Sequence, residues 1–167
     1  MPDLCVVYNV GPSLKMNGNL ASAGIQDTLI PTSIKGLHGR PIRSTIIPRG
    51  ATNGGRKLTS RFGPRIITVN ALVHIVKIVG VDGDGFDPFT DLTTYLTRVN
   101  VVVAAWESYL EGQLNTSFTL SYTPTGGSAI NKTVTYGSEG NEFEMTSEGE
   151  DAMLRPAVSF GLVAETG

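Results

Sequence analysis

Apolar residues recur at every second position over residues 65–80, the longest such alternation in the chain. Period-two alternation is typical of a β-strand with one buried face. The opposite face is mixed rather than polar, so we predict a central strand whose second face is partly covered by other elements or by another subunit. The residues on the regular face are Ile67, Val69, Ala71, Val73, Ile75 and Val79, interrupted only by Lys77.

A different spacing predicts one helix over about residues 88–111. Asp87 supplies an N-cap, Pro88 suits a first helical position, and Gly112 favours the end of the helix. A single helix in a strand-rich chain more often covers a sheet, whereas a two-stranded coiled coil is the alternative. The apolar residues, spaced by alternating gaps of three and four, are Phe89, Leu92, Leu96, Val99, Val103, Trp106 and Leu110.

The rest of the chain predicts short strands joined by turns. Its 20 glycines and nine prolines suit such a protein, and 167 residues suit one domain over residues 1–167. We therefore expect a mainly β fold with one central helix (α+β), built as a small β-barrel or a two-sheet sandwich. The further strand candidates are residues 4–8, 13–17, 25–30, 42–47, 117–122, 130–136, 142–145 and 157–163.

Residues 48–64 show little hydrophobic periodicity and several Gly and Pro breakers, which predicts a long basic loop. No apolar stretch reaches the roughly 20 residues that a spanning helix needs, so we expect no membrane segment. The first residues lack the features of a secretory signal, so we expect synthesis and use without export.

Charge is divided along the chain. The formal net charge is −2, but residues 1–77 carry +8 and residues 78–167 carry −10. Such charges can neutralise each other within one fold or between neighbouring copies, or belong to two solvated loops. Nucleic-acid binding is disfavoured, because Phe62 is the only aromatic residue of the basic region.

If copies meet through opposite charges, the sequence predicts two sets of interface residues. The basic set is Arg49, Arg56, Lys57, Arg61 and Arg65. The acidic set is Glu139, Glu142, Glu144, Glu148, Glu150 and Asp151.

Patterns that would indicate catalysis or a cofactor are incomplete. Residues 50–57 resemble a phosphate-binding loop, but Arg56 stands at the lysine position and no helix signal follows. Asp82, Asp84 and Asp87 do not satisfy the EF-hand pattern. His38 and His74 have no neighbours at metal-ligand spacing, and Cys5 is the only cysteine. We predict no enzyme activity, cofactor or metal.

One further pattern runs through residues 49–110 and continues into a β-hairpin. Its parts are Pro48, Arg49 and Gly50; Gly54 and Gly55; the basic residues Arg56, Lys57 and Arg61; residues 63–69 opening the long strand; residues 80–85; and a helix with Leu92, Leu96 and Asn100. With this pattern the chain resembles structural proteins of the tail and neck of long-tailed bacteriophages, especially minor tail and distal-tail proteins with a tail-tube-like barrel. The resemblance covers about half the chain.

This resemblance implies a β-barrel flanked by one helix, with loops or a hairpin reaching the next subunit of a ring, commonly sixfold. It also implies a virion component of the tail or neck, made in the host cytoplasm. Its partners would be further copies of itself and adjacent tail or neck proteins, and DNA would only pass through the ring. The alternative is a monomeric glycan-binding β-sandwich using Tyr122, Tyr136 or Trp106 as exposed aromatic platforms.

Overall fold

The computed structural model describes residues 6–17, 27–39, 42–48, 55–75, 92–147 and 155–164, with the backbone alone at 43, 45–48, 55–59, 61, 62, 92 and 94. The strands are β1 (Tyr8–Val10), β2 (Leu14–Met16), β3 (Thr28–Lys35), β4 (Ile42–Pro48), β5 (Gly55–Phe62), β6 (Arg65–His74), β7 (Ser117–Tyr122), β8 (Ile130–Thr135), β9 (Glu144–Met145) and β10 (Ala157–Ala164). The helix is α1 (Leu92–Gly112).

Seven strands close into a barrel in the order β6, β3, β2, β1, β7, β8 and β10. The closure is an antiparallel ladder in which β10 pairs with β6 from Ala157 opposite Leu72 to Ala164 opposite Arg65. A closed barrel leaves these strands no free edge between β10 and β6. The expected fold class, mainly β with one helix, is confirmed, and the structure is a barrel rather than a sandwich.

The alternation in β6 builds one wall of the core. Ile67, Val69, Ala71 and Val73 are buried, while Ile66 and Leu72 on the other face are 43% and 38% exposed. The predicted strand is confirmed from Arg65 to His74, and Ile75 follows it outside the ladder. The predicted continuation over residues 76–80 lies outside the described residues. The β1–β2 and β7–β8 hairpins also form as predicted.

The helix packs against the barrel through its apolar stripe. Trp106 is 2% exposed, and its ring lies 5.8 Å from that of Phe160 in β10. Tyr109 contacts Phe118 of β7 edge to face, with ring centroids 5.9 Å apart. Of the predicted stripe, Val99, Trp106 and Leu110 are buried as expected. Tyr95 and Val102, which were not predicted, are buried beside them. The buried residues of α1 are Tyr95, Val99, Val102, Trp106 and Leu110.

The prediction of a loop over residues 48–64 is wrong for its main part. Residues 55–62 form β5, which pairs antiparallel with β4 from Ile42 opposite Phe62 to Pro48 opposite Gly55. These two strands form a sheet of their own, separate from the barrel sheet. Hydrophobic alternation marks a strand because one of its faces covers a core. A hairpin outside the barrel lacks this hydrophobic alternation. Its sequence therefore predicted a loop.

Candidate subunit interface

The β4–β5 hairpin carries most of the predicted basic residues. Within the described part of the chain it forms no ladder with a barrel strand, and Ile42 is 67% exposed. A two-stranded hairpin is marginally stable at best in water, because it buries too little apolar surface by itself. Contact with a further surface would therefore stabilise this hairpin.

Two basic residues are backbone register partners in this hairpin. Arg43 is the register partner of Arg61, while Arg56 and Lys57 lie opposite Ile47 and Ile46. Like charges at directly opposite positions destabilise an antiparallel pair. The backbone register thus sets two residues of like charge at opposite positions of the hairpin.

Arg65 does not belong with the other basic residues, which corrects its place in the predicted basic set. It is only 8% exposed, and its Nη1 donates a hydrogen bond to the carbonyl oxygen of Leu37 at 3.1 Å. The cause is the parity of β6, because residue 65 points to the same side as the buried Ile67 and Val69. Burial raises the pKa of Tyr122, and the charge of Arg65 partly offsets that rise. Arg49 lies outside the described residues.

The acidic residues Glu139, Glu142 and Glu144 are exposed. Both β8 and β9 pair antiparallel with the same strand, β10. They are thus two parts of one interrupted strand, and residues 136–143, which we call the acidic loop, bulge out between them. Within the described ranges these three carboxylates form no ion pair. Glu148, Glu150 and Asp151 lie outside those ranges.

One hydrogen bond fixes the acidic loop to β10 of the barrel, and a second joins the two ends of the loop. The Gly161 amide donates to the Asn141 carbonyl oxygen at 2.9 Å, and the Phe143 amide donates to the Tyr136 hydroxyl at 2.9 Å. Gly137 and Gly140 take φ values of 116° and 80°, which side-chain-bearing residues rarely adopt. The loop therefore presents its carboxylates from a set conformation. The glycines were visible in the sequence, whereas nothing in it marked Asn141 or Gly161 as anchors.

The described residues offer no assembled chemical site. Among them, no group of three His, Cys, Asp or Glu side chains is placed to hold a metal ion. His38 is exposed in the segment after β3, and His74 ends β6. Residues 82, 84 and 87, considered above for calcium, lie outside the described ranges. In the part of the chain that the structure describes, no helix has the length and apolar character to cross a membrane.

The aromatic platforms of the glycan-binding alternative are absent from the surface. Trp106, Tyr122 and Tyr136 are 2%, 5% and 8% exposed, so none of them presents a ring face to solvent. The rings of Tyr122 and Tyr8 pack together with centroids 5.2 Å apart. The glycan-binding alternative would need these rings exposed, whereas all three belong to the core cluster.

No family model matches the sequence, and no curated protein matches it at a significant level. Among solved structures, the chain is similar to the SPP1 Dit (gp 19.1) protein, described as a paradigm of the hub adsorption apparatus in phages that infect Gram-positive bacteria. The TM-score is 0.53 at 12% sequence identity. The likeness is one of fold. It covers 96% of this chain and 50% of the Dit chain, so this chain spans about half the length of that protein.

Proposed function

We propose that this protein is a structural component of a tailed-phage virion that forms a ring in the tail or neck and encloses the DNA passage. The observation that carries the proposal is the similarity in fold to SPP1 Dit, a protein of a phage hub adsorption apparatus, over 96% of the chain. A barrel with an added hairpin and no assembled chemical site in its described part agrees with a role in assembly rather than catalysis. Its place would be the virion, after synthesis in the host cytoplasm.

Ring closure requires two different surfaces on each subunit, because head-to-tail contacts join unlike patches. We assign one surface to the basic β4–β5 hairpin and the other to the acidic loop together with Glu144 at the start of β9. The hairpin lacks a partner sheet and brings Arg43 opposite Arg61, while Glu139, Glu142 and Glu144 are exposed. Opposite charges steer such an encounter and set its register. The proposed ring is sixfold, contacts adjoining tail or neck proteins and lets DNA pass through it.

Charge reversal in the hairpin tests this assignment. The variant Arg56→Glu, Lys57→Glu, Arg61→Glu is expected to keep the wild-type circular dichroism spectrum, which shows that it is folded. Negative-stain imaging and light scattering are expected to show monomers in place of rings. Adding Glu139→Lys, Glu142→Lys and Glu144→Lys to the same chain restores opposite charges and is expected to restore rings.

The matched control reverses three basic residues outside the hairpin and the acidic loop. Lys15, Lys35 and Arg155 are all exposed, and changing each to Glu alters the net charge by the same amount. We expect rings from this control. Normal rings from the hairpin variant would refute the pairing of the two surfaces, and a wild-type chain that remains monomeric at every concentration would refute self-assembly into a ring.

A further inference from the structure

An open cleft of about 380 Å³ lies where β1, β7 and β8 run side by side. Asn9 is the register partner of Ser121, and Ser121 is the register partner of Asn131. Residues directly opposite in antiparallel strands have Cβ atoms about 5 Å apart on the same face. The two carboxamides and the hydroxyl therefore form a row across three strands, on the face opposite the buried Tyr8, Val10 and Leu120.

The chemistry of this cleft is neutral and polar. Its described lining residues carry no charge. The side chains of Asn9, Ser121 and Asn131 make no hydrogen bond within the described ranges. Each carboxamide offers both donors and an acceptor, and the hydroxyl offers one donor and two acceptors. A neutral ligand that itself carries donors and acceptors fits this lining, whereas an ion would find no opposite charge.

We propose that this cleft binds a neutral saccharide unit that carries an N-acetyl group. Hydroxyl and acetamide groups of such a ligand match the row of Asn9, Ser121 and Asn131. Val7, which is 37% exposed, and Ala129 supply apolar contacts for the acetyl methyl group. The cavity volume lies at the lower end of the range of about 300–1,000 Å³ for small-ligand sites, which suits one or two sugar rings.

The expected affinity is low. Among the described residues that line the cleft, none offers an exposed aromatic ring to the sugar, because Tyr122 is buried against Tyr8. A ligand of this size held by a few hydrogen bonds binds with a Kd on the order of 1 mM. The binding itself is independent of ring formation. If the proposed ring forms, several copies of the cleft would act together and raise the apparent affinity.

The test is a titration of the isotope-labelled full chain with methyl N-acetyl-β-glucosaminide, followed by ¹H–¹⁵N correlation spectra. Saturable shifts are expected for the side-chain amide signals of Asn9 and Asn131 and for the backbone amide of Ser121. Methyl β-glucoside, which lacks the acetamide, is expected to bind several-fold more weakly.

Two variants give the comparison. Asn9→Ala with Asn131→Ala removes both carboxamides from solvent-facing positions, so we expect the fold to persist and the Kd to rise about tenfold or more. The control, Asn100→Ala, changes an exposed amide on α1 and is expected to leave the Kd unchanged. Shifts that are absent, that never saturate, or that persist in the double variant would overturn the proposal, whatever the outcome of the ring experiment.

Discussion

Replacing Gly161 with alanine is expected to detach the acidic loop from the barrel. A Cβ atom at this position would lie 2.5 Å from both Cβ and Oδ1 of Asn141 and 2.7 Å from its Cγ. Separations below 3.0 Å force a displacement, and the Cβ of Asn141 is too close to its backbone to turn away. The displacement would break the hydrogen bond from the Gly161 amide to the Asn141 carbonyl oxygen.

The expected size follows from two opposing contributions. Inserting a methyl group into a packed contact costs about 1–3 kcal/mol. Replacing glycine by alanine at a compatible backbone position gains about 0.4–1 kcal/mol, because it restricts the unfolded chain. Gly161 lies in β10 and does not take a positive φ, so that gain applies. We expect the free energy of unfolding to fall by about 1–2 kcal/mol.

A double-mutant cycle isolates the cause. Asn141→Gly removes all three atoms that the new methyl group would meet, so in that background Gly161→Ala is expected to be neutral or stabilising. Urea unfolding followed by the fluorescence of Trp106, the only tryptophan, supplies the four free energies. An equal cost of Gly161→Ala in both backgrounds would refute the reasoning. If the proposed ring forms, the single variant should also form fewer rings while its barrel remains folded.

Three further predictions concern the barrel and its helix. Trp106→Ala is expected to cost about 3–5 kcal/mol of unfolding free energy, measured by circular dichroism, since its ring is buried. The Nε of Arg98 donates a hydrogen bond to Oδ2 of Asp27 at 2.9 Å. Asp27→Asn breaks this paired contact and is expected to lower the free energy of unfolding by about 1–2 kcal/mol. The control Glu107→Gln, on the exposed helix face, is expected to leave the free energy of unfolding unchanged. Burial raises the pKa of Tyr122 above its ordinary value of 10.0, so the unfolded chain loses this proton first and stability falls as pH rises past about 10. Tyr122→Phe is expected to flatten that fall in alkaline unfolding curves; an unchanged slope would contradict the assignment.

The regular parts of the fold could be predicted because they cover the core. The alternation around Val69 and the three-and-four spacing through Trp106 both arise from burial on one side, and the structure buries both residues. The end of the helix at Gly112 is also confirmed within one residue. Its predicted beginning at Pro88 lies outside the described residues.

The features that the sequence did not predict either lie away from the core or depend on which face of a strand a residue occupies. The strand β5 was not expected, since a hairpin beside the barrel has no apolar face to repeat. Arg65 was grouped by charge with the hairpin, although its position two residues before Ile67 already placed it on the inner side of β6. The contact between Asn141 and Gly161 joins residues 20 positions apart, and short-range patterns carry no sign of it.

The interruption between β8 and β9 has a consequence for how this protein can change over time. Because β10 is paired on both sides of the gap, exposed positions of the protruding segment that are not anchors, such as Glu139, can vary while the wall behind them stays intact. If the proposed ring forms, substitutions at such positions would alter which neighbour a subunit accepts at little cost to folding. Partner choice and structural integrity would then evolve separately within one small chain.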